Sequence, residues 1–520
     1  MNNPTRKVVI VGGGTAGWLT ACLLARRAKT IEGTPPAVVL IESPDIPAIG
    51  VGEGTWPSMR LSLQTIGIAE ADLVRHADAS FKQGTQFIGW GDNEGADSYY
   101  HPFSLPAEYS QLNLAEHWLD LESRPAFADF ATPQARIIAA GLAPRQASMP
   151  PYAFAVNYGY HFDAGKFAVL LHEHATARLG VDFRSANVVA VAAADNGDIA
   201  AVELDSGERI DGDLFVDCTG QRSLLLSGHF DVDFVSVKDI LLNDTAIAVQ
   251  VPWGRNSPPL PSVTRASAAP AGWIWDIGLQ SRRGIGYVHS SAHADEAAAL
   301  ATLRDYIART APAVSIDRLG FRTIRFEPGY RREFWVRNCV AVGLSGGFIE
   351  PLEASALALI EQAAQLISRD LPASRDIMAV VAKRFNEKMH YHWQRVVEFL
   401  KLHYVLSRRD ESAYWRDTRS PSSCPAGLRD KLTLWQQQAP WHEDAPRVDE
   451  LFPSASYQFV LYGMGFEPGL RAARRSVDPR ERALAEKALK DNDQKARQLL
   501  SGLPANRALL DAMTSLAGVA

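Results

Sequence analysis

The chain has 520 residues, a formal net charge of -6, a pI near 6.1 and 47% hydrophobic residues. It is long enough to bury a large core in two to four domain-sized units. The acidic balance offers no basic field to nucleic acid and points instead to a small-molecule substrate. Cys22, Cys218, Cys339 and Cys424 are too dispersed for a zinc site or a disulfide framework. No metal is therefore expected, and a reducing cytoplasm is the default location. No apolar run approaches the ~20 residues needed to span a bilayer, so no membrane association is expected.

Val8 to Val11 is a β-branched run suited to a strand buried on both faces. It superficially resembles a secretory signal, but glycines interrupt it and no small-residue cleavage pattern follows. It leads into Gly12, Gly13, Gly14, Thr15, Ala16 and Gly17, then a helical stretch over 16–27. This strand-turn-helix context lets a pyrophosphate approach backbone N–H groups at a helix N-terminus. Val38 to Ile41 is a second buried strand, ending in Glu42, an acid placed to accept from ribose hydroxyls.

Further along, Val188 to Val191, the turn Asn196-Gly197-Asp198 and Val202 to Leu204 predict strand, turn, strand. Asp213 to Gly220 and Cys339 to Gly343 are apolar runs that close in small-residue turns. Distant strands that end in glycine at one sheet edge suit a long cofactor, and Val188, Leu344 and Leu357 are expected to touch it. The pattern resembles the Rossmann-like FAD fold of the flavin monooxygenase superfamily, so the expected class is α/β with an added, mainly helical C-terminal region. A proline-rich loop is expected between Pro252 and Pro270, within a Thr245–Ser291 segment covering the isoalloxazine ring. From Leu352 the pattern turns helical, most clearly over Phe385–Arg408 and the charged Pro479–Leu500 stretch, which leaves a homodimer contact open. The expected division is an FAD-binding domain with a substrate-side sheet over 1–351, and a helical region over 352–520 that completes the substrate pocket.

Three further islands narrow the chemistry. They are Phe81-Lys82 leading to Phe87 and Trp90, Trp273-Ile274-Trp275-Asp276-Ile277-Gly278, and Gly347-Phe348-Ile349-Glu350-Pro351-Leu352-Glu353. In this order, from the N-terminus to about Trp415, they resemble the flavin-dependent halogenases of the tryptophan halogenase family. Gly278 stands where that family's W-x-W-x-I-P signature has proline.

The resemblance implies that reduced FAD, oxygen and chloride or bromide yield hypohalous acid, which passes through a tunnel to a lysine beside an electron-rich aromatic substrate. Lys82 is that lysine, hydrogen-bonding the oxidant or forming a haloamine with it. An arginine would not serve, because its guanidinium stays protonated and is a poor nucleophile. Glu353 is its implied partner, orienting the oxidant or taking the proton lost on rearomatisation. Trp273 and Trp275 line the tunnel, His101 and Phe103 the substrate pocket, and Ser355 and Ala356 hold the halide. Read without the resemblance, the same residues make a surface ion pair, a first-turn helix acid and a core aromatic pair.

Two departures matter. Ala354-Ser355-Ala356 replaces the family's Ser-Thr-Gly, which puts a Cβ where the halide segment usually has none. Ser454 to Gly463 lacks the adjacent tyrosines that clamp free tryptophan, leaving other indoles and phenols as substrates. A flavin monooxygenase without halide, and a flavin-binding protein without turnover, are the alternative classes. No second glycine fingerprint for NADPH follows the first, so a separate flavin reductase is the expected source of reduced FAD.

Overall fold

The computed structural model describes residues 4–31, 34–46, 52–92, 97–254, 259–469 and 479–515. The chain forms two compact units, each assembled from three stretches. One comprises Met1–Asp78, Phe162–Val237 and Phe326–Gln394; the other comprises Ala79–His161, Lys238–Arg325 and Arg395–Ala520.

The first unit is built on a six-stranded sheet. Its order is Trp335–Val336, Cys339–Ala341, Leu214–Asp217, Lys7–Val11, Ala37–Glu42 and Asp182–Ser185. All neighbours are parallel except the edge pair Trp335–Val336 and Cys339–Ala341. Val8, Val9 and Ile10 are fully buried, as a β-branched run covered on both faces requires; Val9 and Val11 pack with Ile199, Val202, Leu204 and Ile210. The three strands expected to converge on the cofactor are direct neighbours, and their C-terminal ends are laced together. Gly12 N–H donates to the Ile41 carbonyl at 2.8 Å, Cys218 N–H to Val11 at 2.8 Å and Val342 N–H to Asp217 at 2.9 Å. The helix Thr15–Ala28 packs on Ala164–His174 and on Ser355–Arg369. Val188–Ala193, Ile199–Leu204 and Arg209–Asp211 form a small antiparallel sheet.

The expected boundary at 351/352 coincides with neither unit's limits. Ser355–Arg369 presents an apolar face to the first unit, where Leu359, Ile360, Ala363, Ala364 and Ile367 are buried, and it joins the fingerprint helix there. The helix is part of the cofactor-side unit because its stripe matches the apolar side of Thr15–Ala28. Composition along the chain does not reveal this return.

The second unit carries a seven-stranded sheet, ordered Phe321–Arg325, Thr245–Pro252, Arg282–His289, Gly272–Gly278, Thr264–Ala269, Gly84–Ile88 and Ser98–Pro102. Only the Thr264–Ala269 and Gly84–Ile88 pair is parallel. Of the proline-rich stretch, residues 255–258 lie outside the described residues. The helices Ser454–Gly463, Pro479–Gly502 and Asn506–Ser515 belong to this unit. Among the described residues no helix is long and apolar enough to cross a membrane.

Trp273 and Trp275 project from one face of Gly272–Gly278, their ring centroids 6.4 Å apart at 61°, as alternation on a strand predicts. Trp275 lies opposite Gly286, and a Cβ there would fall 2.1 Å from the indole. The glycine thus makes room for the ring. Gly286→Ala is expected to overpack this site, costing about 1–3 kcal/mol in denaturant unfolding; an unchanged midpoint would show that the ring has slack.

Candidate active site

In the first unit the fingerprint turn is shaped by what a side chain would strike. A Cβ on Gly17 would lie 1.8 Å from the Gly12 carbonyl oxygen, and one on Gly12, whose φ is +114°, would lie 2.1 Å from the Cys218 carbonyl. Gly14, by contrast, has nothing within 4 Å of such a Cβ. Close packing behind the turn and open space before it fit a pyrophosphate at the N-terminus of Thr15–Ala28. Glu42 closes over the turn, its Cδ 2.1 Å from a Cβ built on Gly13. Trp18 Nε1–H donates to Glu42 Oε2 at 3.3 Å, and burial raises the carboxyl's pKa. Thr15 and Ala16 open the helix, and a Cβ on Gly343 would sit 2.8 Å from that of Ala16, which brings the third motif against the first. These residues fit FAD.

An open concavity of about 450 Å³ lies in the same unit, lined by Gly343, Leu344, Gly347, Ser355, Ala356 and Trp393 among others. Ser355–Arg369 begins at this wall without a side-chain cap; its N-cap, Ala354, is left-handed at φ +55°, ψ +36°. A non-glycine residue in that region costs roughly 1 kcal/mol or more, and N-caps ordinarily adopt extended backbone. The Ser355 hydroxyl is 1% exposed and has no hydrogen-bond partner. An uncapped helix start and an orphaned hydroxyl facing one cavity are suited to an anion. Glu353 precedes this turn and is 4% exposed. Leu357 is buried in the same helix, whereas Val188 packs partly buried against the core cluster that includes Val9, Val39 and Phe215.

Deeper in this unit, Glu361 is buried and accepts from Ser58 Oγ at 3.0 Å and Ser62 Oγ at 2.6 Å. Burial outweighs these bonds and pushes the carboxyl from 4.5 up to about 7. The folded state thus holds this proton more tightly than the unfolded chain, so this group's contribution to stability is fully present below pH 4.5 and is lost as pH rises through 7. Glu361→Gln is expected to shallow that fall, read as urea midpoints at about pH 5 and pH 7.5. Glu53, also pushed up to about 7 by burial and Asp163, leaves a residual slope. An identical slope in wild type and variant would contradict the assignment.

In the second unit Lys82 ends the strand Ser80–Lys82 and is 1% exposed. Its Nζ lies 5.4 Å from the centroid of Phe103, within reach of the favourable quadrupole of the ring face. Phe103 is fixed by its neighbours: its N–H donates to the Gln83 carbonyl at 3.0 Å, and its own carbonyl accepts from Asn157 Nδ2 at 3.1 Å. His101 is buried, with Nε2 3.0 Å from Ser456 Oγ, and packs on Phe399 and Phe459. The structure therefore brings Lys82, Phe103 and their supporting amides together.

One residue near Lys82 gave no signal in the sequence. The short strand Ser80–Lys82 pairs antiparallel with 159–161, placing His161 opposite Ser80. His161 is fully buried, with Nε2 2.9 Å from Thr264 Oγ1 and Nδ1 without a partner. Burial, and then the charge of Lys82, hold its pKa well below the ordinary histidine value. The ammonium is therefore backed by a neutral imidazole. Alternation within Gly159–Asp163 marks a strand but does not tell that its histidine meets Lys82.

A profile of the family described as tryptophan halogenase matches residues 7–478. The chain belongs to the tryptophan halogenase family. Membership extends beyond Trp415, where the motif resemblance thins, into the helices of the second unit. A solved tryptophan halogenase from Shewanella frigidimarina is 45% identical, with 98% of each chain covered and a TM-score of 0.94. The tryptophan 6-halogenase ThaL of Streptomyces albogriseolus is 32% identical over 98% of this chain and 99% of its own length. The tryptophan 7-halogenase RebH of Lentzea aerocolonigenes is 31% identical over 97% and 98%. The family is one of flavin-dependent halogenases, and the α/β fold with its Rossmann-like sheet is theirs.

Proposed function

We propose that this enzyme halogenates an electron-rich aromatic compound, indole-like or phenolic, using FADH2, oxygen and chloride or bromide. The buried ammonium of Lys82 against Phe103 carries the reading. Its place against an aromatic face sets a lysine nitrogen, the nucleophile the chemistry needs, beside a wall that suits a flat substrate. Gly12 to Gly17 and Glu42 hold FAD, with Leu344 beside the ring-side concavity. FAD, when bound in its reduced form, supplies the two electrons that let oxygen oxidise halide.

Ser355 and Ala356 hold the halide through the first N–H groups of the helix and the Ser355 hydroxyl. The sum is halide, oxygen, FADH2 and a proton going to hypohalous acid, FAD and water. Lys82 then donates a hydrogen bond to hypohalous acid or, as the free amine, takes its halogen with loss of water. Transfer to the aromatic carbon leaves a proton, which the Glu353 carboxylate accepts. His101 and Phe103 provide aromatic walls for a flat substrate, and Trp273 and Trp275 line the route of the oxidant. The named relatives act on tryptophan; free tryptophan ranks behind other indoles and phenols here, because Ser454–Gly463 has no adjacent tyrosines.

A screen of halides against small aromatics, with a separate flavin reductase and NADH, tests the proposal. Products carrying the chlorine or bromine isotope pattern are expected. A hydroxylated product formed equally well without halide would assign the enzyme to direct oxygenation instead, a reading favoured by the Cβ of Ala356. No aromatic product with any halide would leave flavin binding alone.

A further inference from the structure

The conformation that starts the helix Ser355–Arg369 needs an external hold. Ala354 is left-handed, and the peptide plane whose flip would carry it out of that region joins Glu353 to Ala354. Both ends of that plane are pinned. The Ala354 N–H donates to the Pro351 carbonyl at 3.0 Å. The Glu353 carbonyl accepts from the indole Nε1–H of Trp56 at 2.7 Å. The stretch carrying Trp56 also grips the helix further along, about two to three turns from its start, where Ser58 and Ser62 hold Glu361 and Gln365 Nε2 donates to Ser62 Oγ at 3.0 Å.

We propose that Trp56 is the positioning residue of the anion-binding turn: by fixing the Glu353 carbonyl it holds Ala354 left-handed and aims the first amides of Ser355–Arg369 into the concavity. That the anion is halide rests on the proposed function. The logic answers the altered Ala354-Ser355-Ala356 sequence. With alanine in a position that glycine or asparagine occupies more readily, the backbone alone does not select this turn, and a donor from outside supplies the selection. Trp56 acts through the peptide plane and does not itself touch the anion.

The test uses the full-length, FAD-loaded enzyme. Trp56→Phe keeps an aromatic ring and removes the donor. The halide KM is expected to rise about tenfold, while the KM for the aromatic substrate moves less than about twofold. Adding Ala354→Gly to that variant removes the Cβ penalty, and should recover most of the lost halide affinity. An unchanged halide KM in Trp56→Phe, or an equal rise in both KM values, overturns the proposal.

If Trp56→Phe does not fold, Ala354→Val leaves Trp56 in place and disfavours the same backbone region. It should raise the halide KM, and unchanged affinity again counts against the inference. Bromide binding followed by ⁸¹Br line broadening gives the same comparisons without turnover. A wild-type enzyme that binds bromide without halogenating would thus sink the functional reading and still decide the role of Trp56.

Discussion

Lys82→Ala is expected to lower halogenation by roughly 100-fold or more, while FAD binding and reductase-fed oxygen consumption continue. The separation follows from where the groups lie. The glycine turn, Glu42 and the Ser355 hydroxyl belong to one unit and Lys82 to the other, and none of the cradle contacts described above involves Lys82. Lys82→Met sharpens the test, because it retains the long stem and deletes a buried charge. Lys82 is 1% exposed, and methionine fills about the same volume without the nitrogen. Loss of product with FAD binding and oxygen consumption retained would mark a residue needed for halogen transfer. Lys82→Arg separates the two roles of the amine. A guanidinium donates hydrogen bonds but does not accept halogen as a free amine, so an active arginine variant would exclude the haloamine route. Full halogenation by Lys82→Ala would end the case for either.

Much of the first unit was legible because its signals are local. The β-branched run before Gly12 and the apolar run before Glu42 form the expected strands, Lys7–Val11 and Ala37–Glu42. The glycines between them meet close contacts that only a missing Cβ permits. Trp273 and Trp275 share a face because strand alternation requires it. The interleaving of two units was not legible, since it depends on pairings such as Val8 with Leu214 and Gln86 with Arg265, whose partners are far apart in sequence. Local patterning specifies that a strand is buried, not which strand it meets.

Within the site, the misses also have physical causes. Trp56 lies alone in a glycine- and proline-containing stretch with no periodicity to give it a direction. Glu361, on a helix, reads as a solvent-facing acid until Ser58 and Ser62 are brought to it. A left-handed residue is usually announced by glycine or asparagine, and Ala354 gives no such notice. The segment proposed to hold halide stands out by its order relative to the other motifs, whereas its geometry depends on a residue 297 positions away.

Two neighbouring glycines should fail in different ways. Gly17→Ala places a Cβ 1.8 Å from the Gly12 carbonyl oxygen, a backbone atom that cannot yield without moving the strand-to-helix turn. Gly12 is in turn held by the Ile41 carbonyl, so the displacement spreads into the central sheet. A loss of stability on the order of 3 kcal/mol is expected, together with loss of FAD. Gly14→Ala differs because its Cβ meets nothing within 4 Å. The apoprotein should unfold at nearly the wild-type denaturant concentration, yet the new methyl group enters the space that fits the pyrophosphate. FAD affinity should fall about tenfold or more, equivalent to about 1.4 kcal/mol, and the stabilisation that FAD confers should shrink accordingly. Paired measurements of apoprotein unfolding and FAD titration distinguish the two. If Gly14→Ala binds FAD as tightly as wild type, the open side of the turn is not where the pyrophosphate lies. If Gly17→Ala is as stable as wild type, the contact behind it is not rigid, and the cradle owes its shape to something else.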